Sequence, residues 1–163
     1  MITQSELKQL LNYNPDTGEF TWLKPNSYCT KAGSIAGTID TNKYRRIRVN
    51  GKRYMAHRLA WFYIYGAWPT NYIDHINHNV DDNAISNLRE ATPSQNSSNA
   101  RIKKTSTSGY KGVGFDKKNK NYSASIMHNN KKFYLGKFDT AELAHKAYCI
   151  KAKELKIQFA CFE

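Results

Sequence analysis

Residues 72–96, YIDHINHNVDDNAISNLREATPSQN, decide the fold of the central part of this chain. Tyr72-Ile73 begins a short strand, the polar residues 77–83 are typical of a loop, and Leu88–Ala91 is suited to the returning strand. Thr92-Pro93-Ser94-Gln95 is a clear helix start, with an N-cap Thr, Pro at the first helical position and Gln at the third. The stretch therefore predicts a strand, a loop, a second strand and a helix.

Four polar side chains stand at the ends of these predicted elements. Asp74 and His75 close the first strand, Asn87 precedes the second, and Asn96 lies in the first turns of the helix. A neutral imidazole is a suitable general base for activating water. Carboxylate and amide oxygens suit Mg²⁺, which completes its octahedron with waters and substrate phosphates. We therefore predict that Asp74, His75 and Asn96 converge and support metal-assisted hydrolysis of a phosphodiester.

Each of these residues also has a purely structural interpretation. His75 beside Asp74 fits a structural pair at a turn, and Asn87 and Asn96 taken singly fit turn formers or helix caps. Their combined spacing favours the catalytic interpretation. His57 is interpreted as a packed histidine rather than a catalyst.

The charge of the chain is strongly basic and unevenly distributed. The net charge is +12, from 25 Lys plus Arg against 13 Asp plus Glu. Residues 1–56 carry +5, residues 57–100 carry −2, and residues 101–163 carry +9. A slightly acidic centre that collects a divalent cation, between basic segments that neutralise phosphates, matches this distribution. We predict double-stranded DNA as the partner, although a basic surface without a ligand also fits the total charge.

The cysteines and the apolar segments of the sequence indicate the cellular compartment in which the protein is expected. Cys29, Cys149 and Cys161 form no CxxC pair, so they indicate neither a disulfide framework nor a zinc site. No apolar run is long enough to span a membrane, and the N-terminus lacks the apolar region of a signal peptide. We expect a cytoplasmic protein with no membrane partner and no evident protein partner.

The N-terminal segment, residues 1–56, is predicted to contain a short helix and a β-hairpin. A capping box begins the helix at residues 3–6, and Asn50-Gly51 between two strand-like runs is a type I′ hairpin signal. On the strand before this turn, Arg46 and Arg48 point to the same side. We predict that this basic side lies along DNA, with a charged surface that merely faces water as the alternative.

The chain after residue 100 is predicted to form a basic linker and a second sheet. Residues 101–109 span roughly 30 Å when extended at ~3.3 Å per residue, close to one ~34 Å turn of duplex DNA. The linker is therefore long enough to follow a groove, with a plain flexible tether as the alternative. Residues 110–163 indicate three strands, the first at residues 110–115 and the last two joined by a turn at residues 129–130, followed by a helix that Asp139 or Thr140 caps. The helix is expected to turn Leu143, Ala144, Ala147, Tyr148 and Leu155 toward the sheet. The predicted DNA-contacting residues here are Arg101, Lys103, Lys104, Lys111, Lys117, Lys118, Lys131 and Lys132.

Between about Tyr54 and Asn99 the chain resembles the HNH endonucleases. The likeness is carried by His57, Asp74-His75, the Asp82-Asn83-x-x-x-Asn87-Leu88-Arg89 stretch, Thr92 and Asn96. It is nearest to the phage homing and nicking endonucleases in which Asn replaces the last His. The resemblance implies a nuclease core at residues 57–100, with His75 as general base and Asp74 and Asn96 as metal ligands. It also implies that Asn87 bonds across the loop to hold His75, and that the cofactor is one divalent ion, Mg²⁺ or Mn²⁺.

The third part of the chain is similar to the APETALA or ethylene-response-factor DNA-binding domain. Two runs carry this likeness, Ser108-Gly109-Tyr110-Lys111-Gly112-Val113 and Tyr134-Leu135-Gly136-Lys137-Phe138-Asp139-Thr140, followed by Glu142, Ala144, Ala147 and Tyr148. The resemblance implies a sheet that lies in a major groove and reads base edges. Lys, Ser and Tyr stand on much of this sheet, where that family usually has Arg and Trp.

The expected fold class is α+β, with a small ββα-metal (HNH) nuclease core, an N-terminal β-rich segment and a C-terminal three-stranded sheet plus helix. The expected function is metal-dependent hydrolysis of DNA to a 3′-hydroxyl and a 5′-phosphate. A monomer holds one such site, so we expect a site-specific nicking, homing-type enzyme. The alternatives are a non-catalytic sequence-specific DNA-binding protein and a structure-specific or RNA-directed nuclease.

Overall fold

The computed structural model describes residues 2–25, 30–93, 95–96, 106–128 and 131–155. The chain divides into two compact units, Met1–Ser94 and Gln95–Glu163. Small antiparallel sheets and α-helices make up both units, so the predicted α+β class is confirmed. Among the described residues, no helix has the length and the apolar character needed to cross a lipid bilayer.

The first unit is built from short elements that alternate along the chain. In order they are α1 (Gln4–Leu10), β1 (Leu11–Tyr13), β2 (Phe20–Trp22), β3 (Thr38–Ile39), β4 (Arg45–Val49), β5 (Lys52–Met55), α2 (Ala56–Tyr65), β6 (Tyr72–His75), a 3-10 turn (Ile85–Asn87) and β7 (Leu88–Ala91). The strands pair antiparallel as β1–β2, β3–β4–β5 and β6–β7.

The local predictions for this unit are confirmed where a side chain or a turn specifies them. Thr3 caps α1 by accepting a bond from the Glu6 amide, and Glu6 accepts the Thr3 amide at 2.7 Å in return. Asn50 and Gly51 have φ of 48° and 78°, as the type I′ turn between β4 and β5 requires. Strands β1 and β3 were not predicted, because two or three residues are too few to display an alternating pattern.

One core joins the predicted N-terminal segment to the predicted nuclease core. Leu7, Leu11 and Phe20 are fully buried in the same cluster as Leu59 of α2 and Leu88 of β7. Burying a side chain of this kind contributes about 1.5–3 kcal/mol. The residues on both sides of the predicted boundary at position 56 therefore share one hydrophobic core.

The turn between β1 and β2 supports the loop that follows β6. The Tyr13 hydroxyl donates to the Asn83 carbonyl at 2.8 Å, and the Ile85 amide donates to the Pro15 carbonyl at 3.0 Å. Gly18 has φ of 75°, and a Cβ at this position would meet the backbone of Asn83 and Ala84 at 2.2 Å. The loop beside the predicted catalytic residues is therefore held by distant parts of the sequence.

We expect Gly18→Ala to destabilise the first unit by about 3 kcal/mol, because it combines a left-handed φ with a backbone collision. Gly51→Ala is the matched control, since Gly51 has a similar φ of 78° but open space around it. It should cost about 1 kcal/mol. Urea unfolding followed by tryptophan fluorescence measures both, because all three tryptophans lie in this unit. Equal losses in the two variants would contradict the proposed contact.

The second unit contains β8 (Val113–Asp116), β9 (Asn121–His128), β10 (Lys131–Phe138) and α3 (Ala141–Glu154). The strands form one antiparallel sheet in the order β10–β9–β8. Ile126 of β9 packs against Tyr148 and Ala152 of α3, with Phe133 partly buried beside them. Thr140 caps the helix by accepting the Leu143 amide. The predicted three strands and helix are therefore present.

Two details of this unit differ from prediction. Strand β8 begins at Val113 rather than Tyr110, because Gly109 and Gly112 take φ of 68° and 71° in a turn. Leu143 is 51% exposed and does not face the sheet as predicted. The buried side chains of α3 are three alanines and Tyr148, and Leu143 directly precedes one of them, Ala144. Hydrophobicity alone therefore assigned Leu143 to the wrong face of the helix. The predicted turn at residues 129–130 lies outside the described residues.

Candidate active site

Asp74 and His75 end strand β6 side by side in a largely buried position. Their exposed fractions are 6% and 5%. Each stands opposite a residue of β7 in the antiparallel register, Asp74 opposite Arg89 and His75 opposite Leu88. The two strands therefore fix the backbone of both predicted catalytic residues.

Asn87 bonds across the loop that connects the two strands. Its side-chain Oδ1 accepts the Asn77 amide at 2.9 Å, and its Nδ2 donates to the Asp82 carbonyl at 2.8 Å. Its backbone carbonyl also accepts the Ile76 amide at 2.9 Å. Asn87 itself is buried, at 8% exposure. These bonds close the loop immediately after His75. This is the geometry that Asn87 needs in order to hold His75 in position, a role that remains a prediction.

His75 lies among polar and aromatic side chains, and its burial favours the neutral ring. Its Nε2 is 3.5 Å from Asn83 Oδ1, and Asn83 is itself held by donating to the Asp81 carbonyl at 2.9 Å. Burial lowers the pKa of His75, although the bond to Asn83 and the nearby aspartates act in the opposite direction. A buried neutral imidazole can accept a proton from water at neutral pH, which is what a general base needs.

His57, at the start of α2, packs edge-on against His75 at 5.2 Å between ring centroids. Tyr44 lies beside both rings, 5.5 Å from His57 and 6.1 Å from His75. Burial is the main cause that lowers the pKa of His57 to about 3, and the nearby His75 ring and the Arg58 guanidinium act in the same direction. The interpretation of His57 as a packed residue agrees with this burial. Its contact with His75 was not predicted, because the two histidines are eighteen positions apart.

The low pKa of His57 makes the stability of the first unit depend on pH. The folded state keeps this histidine neutral, whereas the unfolded chain takes up a proton below its ordinary pKa of 6.5. The stabilisation is therefore present above pH 6.5 and is lost as pH falls toward 3. We expect a loss of about 2 kcal/mol between pH 7.5 and pH 5, to which the lowered pKa of His75 adds in the same direction.

Urea unfolding at several pH values, followed by tryptophan fluorescence, measures this loss. His57→Phe replaces the imidazole with a ring that does not titrate, and should remove most of the pH dependence between 7.5 and 5. A variant whose stability falls as steeply as that of the wild type would exclude His57 as the cause.

Asp74 is ion-paired across the sheet with Arg89. Arg89 Nε and one terminal nitrogen lie 2.9 and 2.8 Å from the same oxygen, Asp74 Oδ2. The side chain of Asp74 is 7% exposed and that of Arg89 is 22% exposed. The remaining aspartates of the loop are also engaged, Asp81 by two bonds from Arg45 at 2.9 Å and Asp82 by Asn77 at 2.6 Å.

The predicted metal ligands fit a hard cation in kind but are few. Among the described residues, no group of three or more His, Cys, Asp or Glu side chains is arranged to hold a metal ion. Asp74 offers a buried carboxylate, and Asn96, which is exposed and helical, belongs to the second unit. A small set of oxygen donors suits Mg²⁺ or Mn²⁺, since such ions keep several waters and bind substrate phosphates. The convergence of Asn96 with Asp74 and His75 remains a prediction.

The predicted DNA-contacting arginines of the first unit lie on the outer side of the β3–β4–β5 sheet. Arg48 is exposed and stands directly opposite Arg53 in the register, a like-charge pair that is unfavourable without an anion nearby. Arg46 pairs with Asp40 at 2.7 Å. Both Arg46 and Arg48 line an open cleft of about 670 Å³. Ile47 and Val49 point the other way into the core, as the alternation predicts.

The predicted DNA-contacting residues of the second unit are mostly exposed lysines. Lys117 and Lys118 lie in the turn after β8, and Lys131 and Lys132 lie at the start of β10; all four are exposed, while Lys111 is half-buried. The predicted contacts Arg101, Lys103 and Lys104 lie outside the described residues, as does most of the predicted linker.

Comparison with known proteins finds two family matches and two similar proteins. The HNH endonuclease family matches residues 54–98, and the AP2 domain family matches residues 108–157. The chain is 39% identical over 111 residues to the protein named "Uncharacterized HNH endonuclease L560" of Acanthamoeba polyphaga mimivirus, covering 68% of this chain and 57% of that protein. It is 34% identical over 107 residues to "Protein 3.8" of Escherichia phage T7, covering 65% of this chain and 88% of that protein.

A solved structure, described as DNA binding and cleavage by the HNH homing endonuclease I-HmuI, is also similar. The match covers 88% of this chain and 78% of that chain, with 21% sequence identity and a TM-score of 0.44. This structural likeness is weak. The matched family regions coincide with the two stretches whose motifs indicated them from the sequence.

Proposed function

The chain contains an HNH endonuclease domain at residues 54–98, and on that premise we propose that it is a metal-dependent endonuclease that hydrolyses phosphodiester bonds of double-stranded DNA. The observation that supports this most directly is the buried pair Asp74–His75 at a strand end, beside a loop that Asn87 closes. We propose that cleavage leaves a 3′-hydroxyl and a 5′-phosphate, and that one protein molecule nicks one strand at a specific site.

The predicted site residues have distinct proposed roles. His75 takes a proton from the attacking water, since its ring is neutral and its Nε2 is oriented by Asn83. Asn87 holds the loop that follows His75 and thereby fixes the direction of the imidazole. Asp74 and Asn96 hold the divalent ion, Mg²⁺ or Mn²⁺. When bound, that ion supplies positive charge to the phosphate and to the leaving oxygen.

Supercoiled plasmid incubated with the protein and Mg²⁺ or Mn²⁺ tests the proposal. We expect conversion to the nicked circle before linear DNA accumulates, and no conversion when a chelator is present. Ligation of the nicked product by DNA ligase without prior treatment tests the predicted termini. Intact plasmid with both ions, together with tight duplex binding, would favour the alternative of a non-catalytic DNA-binding protein.

The second unit is proposed to bind the DNA through the side of its sheet that α3 leaves open. On β10, Lys132 and Tyr134 alternate with Phe133 and Leu135, which pack toward Tyr148. Lys132 is exposed and lies opposite Met127, which is 57% exposed. This open side therefore presents basic and accessible side chains suited to a phosphate backbone and a groove.

We expect Lys132→Glu to weaken binding to duplex DNA by about tenfold near physiological salt and to reduce the slope of log affinity against log salt by about 1. Lys153→Glu is the matched control, because Lys153 is exposed on α3 rather than on the sheet. Fluorescence anisotropy across a salt series measures both. Equal losses in the two variants would indicate a general charge effect and contradict a role for the sheet.

A competition between duplex DNA and RNA separates this proposal from an RNA-directed nuclease. We expect duplex DNA to displace a labelled duplex at lower concentration than RNA of the same length. The opposite order would favour the RNA-directed alternative.

A further inference from the structure

The ion pair between Arg89 and Asp74 has no role in the proposed reaction, although it engages the proposed metal ligand directly. Two nitrogens of the guanidinium lie within 2.9 Å of Asp74 Oδ2. The pair is built into the sheet, because Arg89 and Asp74 are direct partners in the β6–β7 register. With Asp74 only 7% exposed, the surrounding water screens this attraction poorly.

A guanidinium and a divalent cation are alternative partners for the same carboxylate. The buried carboxylate carries one negative charge, which Arg89 neutralises at contact distance. A divalent ion at Asp74 would stand close to the positive charge of Arg89, and this repulsion lowers the affinity of Asp74 for the ion. A DNA phosphate near the site changes the balance, since arginine binds phosphate well and phosphate oxygens also coordinate the ion.

We propose that Arg89 is a positioning residue that makes cation binding at Asp74 conditional on bound DNA. This inference rests on the proposed metal-dependent function. Arg89 holds Asp74 in place between β6 and β7 and competes with the cation in the free protein. The phosphate of bound DNA relieves that competition, so DNA and cation strengthen the binding of each other by the same factor. The site would then be completed only on its substrate.

Binding of Mn²⁺ to the full-length chain, measured by the loss of the free-ion electron paramagnetic resonance signal, tests the competition without any cleavage assay. We expect Arg89→Gln to bind Mn²⁺ about tenfold more tightly than the wild type in the absence of DNA. The gain should vanish when Asp74→Asn is added to Arg89→Gln, because the carboxylate is then absent. An affinity that is unchanged or weaker in Arg89→Gln would overturn the proposal.

The DNA-dependent half of the proposal uses the same measurement in a His75→Ala background, which prevents cleavage. A short duplex should tighten Mn²⁺ binding to the protein about tenfold when Arg89 is present and by less than about threefold in Arg89→Gln, with the duplex alone as the blank. Equal tightening in both proteins would overturn the coupling.

A second variant covers the case in which removing Arg89 prevents folding. Arg89→Lys keeps the positive charge but loses the planar fork, and we expect an intermediate gain in Mn²⁺ affinity, with folding checked by tryptophan fluorescence. A decrease in affinity would overturn the proposal.

Failure of this inference is distinguishable from failure of the proposed function. If no protein binds Mn²⁺ with or without DNA, the metal-dependent function fails; if the wild type binds Mn²⁺ and the Arg89 variants do not bind it more tightly, only the role of Arg89 fails.

Discussion

His75→Ala should lower the rate of plasmid nicking by about 10³-fold, within the range that general-base catalysis contributes. The physical reason is that the imidazole is buried, neutral and oriented by Asn83. The side chains of Asp81 and Asp82 are occupied by Arg45 and Asn77 respectively. Single-turnover nicking of supercoiled plasmid with Mg²⁺ measures the effect.

Two controls separate the loss of the base from a loss of structure. His75→Gln retains a polar side chain of similar reach without a titratable nitrogen, and should be as inactive as His75→Ala while binding duplex DNA within about threefold of the wild type. His128→Gln, on β9 of the second unit, should leave the nicking rate within about twofold of the wild type. A His75→Ala protein that keeps a tenth of the wild-type rate would exclude this residue as the base.

Asn87→Ala should lower the nicking rate by about 10²-fold, because a misplacement of about 1 Å in a catalytic group has this effect. The substitution removes both side-chain bonds that close the loop after His75, those with the Asn77 amide and the Asp82 carbonyl. It should also destabilise the first unit by about 2–3 kcal/mol, since two part-buried backbone groups lose their partners.

The nicking rate must be measured well below the unfolding temperature of the variant, so that a loss of folded protein does not lower the measured rate. Asn79→Ala is the control in the same loop, because Asn79 is exposed and its side chain accepts a long bond of 3.3 Å from the Asp81 amide. It should leave the rate within about threefold of the wild type. If Asn87→Ala is destabilised as expected yet nicks DNA at the wild-type rate, Asn87 is a structural residue and does not hold the base.

Helix caps, turns and short strands could be predicted where neighbouring residues in the sequence specify them. The capping box at Thr3, the Asn50-Gly51 turn and the strand pair around residues 72–91 depend on contacts within a few positions. The strong motifs also identified the family regions at 54–98 and 108–157 from the sequence. Leu143 was wrongly predicted to face the sheet. A hydrophobic residue at the edge of the apolar face of a helix can be either buried or exposed, and the sequence pattern does not distinguish the two.

The sequence by itself determined the types of residue available for the chemistry and their order along the chain: Asp74, His75 and Asn87 stand at strand ends, on a basic chain. Only the tertiary structure decided their partners. Arg89 lies against Asp74, Asn83 against His75, and the ring of His57 against that of His75. The reason is that pairing across a sheet and packing within a core bring together residues that are distant in sequence, and no local pattern specifies which of them will be in contact. The charge and the protonation state of the site depend on these long-range contacts.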